Sequence, residues 1–232
     1  ELLSVNDPAP CLTPIDSETL LAEIVDLLKR HIVMGEHSAI AMALWIIHTY
    51  CYRQFSHSPL LLINAPERAC GKSVALGVVA KLVPRPLECA NISVAALFRV
   101  VENREPTVLI DEADTFLEGK PELAGILNKG YEQGGMVLRV ETVGDRLVEV
   151  GYRVFGPKAL AGIALERHLP DATMSRGIQI PMRRKVKGEV VQRLRGANPE
   201  VFSGLRSRIN KFARENEEML SQGYAEMPEE LD

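Results

Sequence analysis

The chain has 232 residues and a formal net charge of −4, with 46% apolar, 25% charged and 5% aromatic residues, which supports one folded core of mixed architecture with at most a small appendage and excludes wholesale disorder. No apolar run approaches the roughly 18 to 20 residues that a bilayer-spanning helix needs, and no signal-like segment follows Glu1. Cys11, Cys51, Cys70 and Cys89 form no C-x-x-C pair, so the expectation is a reduced, cytoplasmic protein without a membrane span, a zinc site or a disulfide framework.

After a lead-in containing Pro8, Pro10 and Pro14, Asp16 or Ser17 caps a helix whose Leu20, Leu21, Ile24, Leu27 and Leu28 recur at helical spacing. The stretch from Ala39 to Tyr50, with Trp45, Ile46 and Ile47, is apolar nearly all round and predicts a helix buried on most sides. Residues 1–58 thus form a helical segment packed on the core. Pro59 opens Leu60-Leu61-Leu62-Ile63, which reads as a buried parallel strand. A helix over Ser73 to Val83 stops at Pro84, and then come a short strand over Leu87 to Ala90, a helix over Asn91 to Val101 and an apolar strand over Thr107 to Ile110. This alternation predicts an α/β fold with a parallel sheet flanked by helices.

From Met136 the texture changes. Runs over Met136 to Val143 and Leu147 to Val150 flank Gly144-Asp145 and predict a β-hairpin inserted before the next core strand, Lys158 to Ile163, with a further strand over Ile178 to Met182. Residues 59–188 form the expected core. Residues 189–232, helical in composition to Leu220 and ending in the acidic Met227 to Asp232, form an expected partial lid. Between Pro181 and Glu215 ten basic residues meet only three acidic ones, a pattern of a solvated helix face or, less commonly, of a polyanion site.

The most informative segment is Pro66-Glu67-Arg68-Ala69-Cys70-Gly71-Lys72-Ser73, followed by Val74, between a predicted strand and a predicted helix. It has the spacing of a P-loop (Walker A), with Pro66 in place of the first glycine. Backbone amides at the start of a helix surround an anion, and Gly71 lets the chain approach without a Cβ. Lys72 then reaches the β- and γ-phosphates, and the Ser73 hydroxyl ligates Mg²⁺. Val108-Leu109-Ile110-Asp111-Glu112 is an apolar strand ending in two acids, the Walker B pattern. Asp111 holds the Mg²⁺ through water and Glu112 polarises the attacking water, which favours hydrolysis over passive binding. Asn128-Lys129 lacks the aspartate of a guanine-specificity motif, since Tyr131 stands there, so ATP is expected rather than GTP. Asp111-Glu112-Ala113-Asp114 spells the box of one helicase superfamily, but the Ser-Ala-Thr motif those proteins need is not visible. The histidines, His31, His37, His48, His57 and His168, show no metal-ligand spacing.

In ring-forming ATPases an arginine placed like Arg176, just before a core strand, enters the neighbouring subunit's site, an effect worth roughly 10³ to 10⁵ in rate. Arg206 or Arg208 on the late helix is a candidate for contacting the γ-phosphate from the lid. In the hairpin, Arg146 near the tip and Arg139 on an arm are candidates for phosphate contacts with DNA, against the plain alternative of a surface hairpin. No aromatic residue is interleaved at the tip for base stacking.

Several stretches together resemble a family of AAA+-like P-loop ATPase domains of unknown function found in phage, plasmid and integrative-element proteins. They are Ala65 to Ser73, Asn91 to Arg99, Leu109 to Asp114, Phe155 to Ile163 and Ser175 to Arg184. The likeness runs from about Pro14 to Ala213, and the Pro-Glu-Arg form of the loop is a trait of that family. It implies an excised, Mg²⁺-dependent ATPase module that assembles as a homo-oligomeric ring, with a hexamer as one candidate size, and drives DNA unwinding or translocation on single-stranded or duplex DNA during mobile-element replication. One departure is that no Asn or Thr ends the strand near Ile163, where many AAA+ proteins place a polar sensor. Two other readings compete: a nucleotide-gated regulatory or defence ATPase acting on a protein partner, and a small-molecule kinase, for which no acceptor-binding motif can be named.

Overall fold

A computed structural model describes residues 7–89, 92–117 and 119–222 of the chain. Two helices, α1 (Ser17–His31) and α2 (Glu36–Cys51), lead into strand β1 (Leu60–Ala65). There follow α3 (Lys72–Leu82), β2 (Pro86–Cys89), α4 (Val94–Arg104), β3 (Thr107–Ile110), α5 (Ala113–Leu117) and α6 (Pro121–Lys129). The hairpin strands β4 (Met136–Val143) and β5 (Arg146–Arg153) precede β6 (Lys158–Ile163), a short α7 (Asp171–Met174) and β7 (Gly177–Pro181). The chain closes with α8 (Pro199–Glu215) and α9 (Glu217–Gln222).

The central sheet has five strands in the order β2-β3-β6-β1-β7, all parallel. Parallel strands buried on both faces read as continuous apolar runs, and period-two alternation splits each run between two cores. Leu61 and Ile63 of β1 face a cluster built on α1, α2, α3 and α8, whereas Leu60 and Leu62 face one built on α4, α5, α6 and the hairpin. The sequence-predicted β1, β3, β4 and β6 are found at these positions. The strand predicted to Ala90 ends at Cys89, and the helix predicted from Asn91 begins at Val94, where Ser93 accepts a hydrogen bond from the Ala96 amide at 3.2 Å. Ala90, Asn91 and Met227 to Asp232 lie outside the described residues. Among the described residues no single helix is long and apolar enough to cross a membrane.

The C-terminal third differs from its expectation. Residues 182–198 form a non-helical strap, and the helix begins only at Pro199. A proline disfavours the α conformation in the residue before it, so Asn198, with extended backbone, caps the helix and helical winding cannot propagate back toward Glu189. Helix α8 then buries Phe202, Leu205 and Ile209 in the same cluster as α1, α2 and α3. Burial of that kind is worth roughly 1.5–3 kcal/mol per large apolar side chain, so this helix is part of the core.

In the hairpin, Gly144 supplies the positive φ (62°) that the two-residue turn requires. One face packs inward, with Tyr152 against the Phe98 ring at 4.5 Å and Val137 and Val150 beside it. The opposite face exposes Leu138, Val140 and Leu147.

Candidate functional site

Strand β1 ends at Ala65, and the chain turns through Pro66 to Gly71 before α3 starts at Lys72. Two residues of the turn are left-handed, Ala69 (φ 62°) and Gly71 (φ 82°). Positive-φ residues next to right-handed ones turn successive amides into one concavity, the geometry of an anion-binding nest. The Lys72 ammonium donates to the Glu67 carbonyl at 3.4 Å and so spans the turn. Cys70 is buried beneath it.

Two strands away, β3 ends at Ile110 and delivers Asp111 and Glu112. Both β1 and β3 pair with β6, where Leu160 is level with Leu62 on one side and with Ile110 on the other. The turn and the acids therefore leave the same, C-terminal edge of the sheet, separated by about twice the 4.8 Å interstrand spacing. That edge is where open α/β sheets bind ligands. A cavity of about 450 Å³ opens there, lined by Arg68, Ala69, Lys72, Ser73, Asp111 and Glu112, and closed by Asp114, Thr115 and Ile163. Asp111 Oδ1 accepts the Glu112 amide at 2.9 Å, and Glu112 itself holds a left-handed φ of 51°.

The cavity brings together six of the sequence-predicted residues, Arg68, Ala69, Lys72, Ser73, Asp111 and Glu112, and other residues support it. Arg184, just past β7, donates to the Arg68 carbonyl at 3.2 Å and lies 2.9 Å from the Glu67 carboxylate, so it grips the turn from the side. Asp114 accepts the Ile163 amide at 3.1 Å, and the Asn64 carboxamide oxygen accepts the Leu165 amide at 3.0 Å. Asn64 also donates to Glu166 at 2.8 Å, which holds that carboxyl below the usual carboxylate range. These side chains serve backbone groups at the end of β6, where no polar side chain stands in the strand itself. Asp114 ends the Asp-Glu-Ala-Asp string, which by itself says nothing of a bond to the Ile163 amide. Nothing local marks Asn64, Thr115 or Arg184.

A second cavity, of about 780 Å³, shares Ser73 with the first and runs under the strap, where His31, Lys81, Lys185 and Arg193 line it. Part of the basic stretch thus borders a cavity instead of forming a solvated helix face.

Three arginine expectations are corrected. Arg206 sits beside Tyr50, whose hydroxyl donates to the carbonyl of Leu82 at 2.5 Å, at the far end of α3 from Lys72. An α3 of 11 residues places that point about 15 Å from the turn, so Arg206 does not reach it. Arg208 pairs with Glu23 of α1 and does not face the turn either. Arg139 lies on the hairpin's packed face, half-buried, 5.1 Å from the Phe98 ring centre and 3.5 Å from Glu122, and so not on the face that points away from the core. Arg146 remains exposed at the hairpin tip. Arg176 is at the opposite edge of the sheet: its carbonyl accepts the Leu60 amide at 3.1 Å, and its guanidinium lies 5.6 Å from the Tyr131 ring centre and 3.9 Å from Glu132. The length of β1, roughly 15 Å or more, separates it from its own chain's cavity.

Among the described residues no group of three or more His, Cys, Asp or Glu side chains is arranged to hold a metal ion. Ser73 and Asp111, which line one cavity, form a sparse oxygen donor set. No protein-family model and no curated protein matches this sequence.

Proposed function

We propose that the chain is a Mg²⁺-dependent ATP hydrolase of the AAA+-like P-loop class, working as a homo-oligomeric ring. One observation carries the reading: Lys72 and Ser73 from the start of α3, and Asp111 and Glu112 from the end of β3 two strands away, line a single cavity at the C-terminal edge of a parallel sheet. The turn amides and Lys72 bind and orient the β- and γ-phosphates. Ser73 and Asp111 are the residues that would hold Mg²⁺, a set too small for an all-protein cage and suited to a hard cation that keeps water and phosphate oxygens. A cation held by these residues would supply neutralisation of phosphate charge. Glu112 orients the water that attacks the γ-phosphorus as the bond to the ADP oxygen breaks. The second cavity, which shares Ser73 with the first, falls in the size range of small-molecule and cofactor sites. Since Arg176 stands at the far edge of the sheet, it acts on the cavity of a neighbouring copy.

Steady-state ATP turnover tests this directly. Lys72→Ala is expected to lose nucleotide binding and turnover together, and Glu112→Gln to keep binding while losing about 10²-fold or more in kcat. Retained turnover in either variant contradicts the reading. The ring is proposed to drive unwinding or translocation on DNA. A second reading, action on a protein partner, is favoured by the hairpin, whose outward face is apolar and whose Arg139 is committed internally. Stimulation of turnover by single-stranded DNA separates the two.

A further inference from the structure

The geometry points to Asp114 as a positioning residue for Glu112: by fastening the start of α5 to the end of β6, its carboxylate keeps the glutamate turned into the cleft. This rests on the hydrolytic reading of that cleft.

Glu112 is the residue that needs holding. A side chain with a Cβ persists at a φ of 51° only when its surroundings over-determine the backbone. On its N-terminal side, Asp111 Oδ1 accepts the Glu112 amide at 2.9 Å. On its C-terminal side, the Glu112 carbonyl accepts the Phe116 amide at 2.9 Å and opens α5. A helix of 5 residues has little rigidity of its own, so its direction depends on what ties it down. Burial of Ala113, Phe116 and Leu117 seats it on the sheet, and the polar tie at its first turn is Asp114, whose Oδ1 accepts the Ile163 amide at 3.1 Å.

The strand is shaped for this contact. A Cβ at Gly162 would stand 2.9 Å from Asp114 Oδ1 and 2.4 Å from Leu165 Cδ2, so the carboxylate approaches where the strand is bare. Beyond Ile163 the tie continues to the root of the phosphate-binding turn: the Ala164 amide donates to the Ala65 carbonyl at 2.9 Å, and the Leu165 amide to Asn64 Oδ1 at 3.0 Å. Ala164 is itself left-handed, at φ 46°. Two strained residues, Glu112 and Ala164, thus flank one hydrogen bond, at the cavity that Asp114 and Ile163 line. Because Asp114 acts through a backbone bond, what it needs is an acceptor oxygen and not a charge.

The test compares kcat and KM for MgATP in the full chain and in Asp114→Ala and Asp114→Asn. Misplacement of a water-orienting group is felt in the chemical step, so Asp114→Ala is expected to lower kcat about tenfold or more while KM stays within about twofold. Asp114→Asn keeps an acceptor for the Ile163 amide and is expected to hold kcat within about threefold of the parent. In a Glu112→Gln background, Asp114→Ala is expected to change the residual rate less than about twofold, since its route runs through Glu112. Parental kcat in Asp114→Ala, an Asn variant as slow as the Ala variant, or a full tenfold loss in the Glu112→Gln background each overturn the assignment. Should Asp114→Ala not fold, Gly162→Ala presses a methyl on the same carboxylate, and an unchanged kcat there overturns it equally. A parent chain with no ATP turnover at all defeats the hydrolytic reading instead, and so the two failures are told apart.

Discussion

At the C-terminal edge of the central sheet, Ala69, Gly71, Glu112 and Ala164 all hold positive φ around an open cavity, where Lys72 donates to the Glu67 carbonyl at 3.4 Å. The N-terminal edge of the same sheet also holds positive φ, at Arg85 (44°) and Glu105 (46°), but it treats its polar groups differently. There Lys158, the first residue of β6, is 1% exposed, and its ammonium donates to the Val154 and Gly156 carbonyls at 2.8 Å each and to the Gly130 carbonyl at 3.4 Å. Thr107, starting β3, is buried too and donates to the Pro84 carbonyl at 2.8 Å. One edge sets polar and charged side chains around a cavity, and the other closes its polar groups on the protein itself. Strand β6 joins the two, with Lys158 at its start and the Ile163 amide, held by Asp114, at its end.

This contrast predicts that substitutions at the closed edge cost stability and those at the open edge cost activity. The largest stability effect is expected from Lys158→Met, which removes the side-chain donor from the Val154 and Gly156 carbonyls, while the Gly130 carbonyl keeps the Gly156 amide; chemical denaturation should show a loss of about 3–5 kcal/mol. Burial pushes the Lys158 ammonium down to about 7 from its ordinary 10.5. Between those values the unfolded chain carries a proton that the folded chain lacks, so stability rises with pH across that window, by up to about 1.4 kcal/mol per unit, and is flat below it. Lys158→Met should abolish the rise, and a parent chain with no rise from pH 7 to 10 counts against the buried cage.

An intermediate effect is expected at Gly71, where φ is 82°. Gly71→Ala should cost about 1–2 kcal/mol and weaken ATP binding more than it lowers the melting temperature, because the turn's amides lose their common direction. Equal losses in both would make Gly71 merely structural. The smallest stability effect is expected from Arg184→Ala: the pair with Glu67 is more than half exposed on both sides, so the loss should stay under about 1 kcal/mol and shrink further in high salt. A larger loss would mean that the strap holds the turn more firmly than an exposed ion pair can.

The parallel sheet was legible because Leu60 to Ile63, Thr107 to Ile110 and Lys158 to Ile163 are short apolar runs bounded by turn residues, and strands buried on both faces leave that mark. The turn and the two acids were legible because spacing and strand context coincide. The strap was not, since the composition of 189–198 says helix and only the Asn198-Pro199 junction says where winding must begin. Arg139 and Arg206 were misplaced for a related reason: an arginine's sequence position gives no account of which face of its strand or helix turns inward. Asp114 and Asn64 act on amides at and just beyond the end of β6, a strand distant in sequence, and no local pattern records a partner so far away.

Whether the turn and the acids share one metal is tested most directly by changing the metal a ligand prefers. In Ser73→Cys the thiolate is a poor partner for Mg²⁺ and a better one for softer ions, so ATP turnover should fall by about 10²-fold in Mg²⁺ and recover at least partly in Mn²⁺ or Cd²⁺. Turnover in Mg²⁺ equal to that of the parent, or a loss that no softer ion restores, would contradict a site in which Ser73 touches the cation.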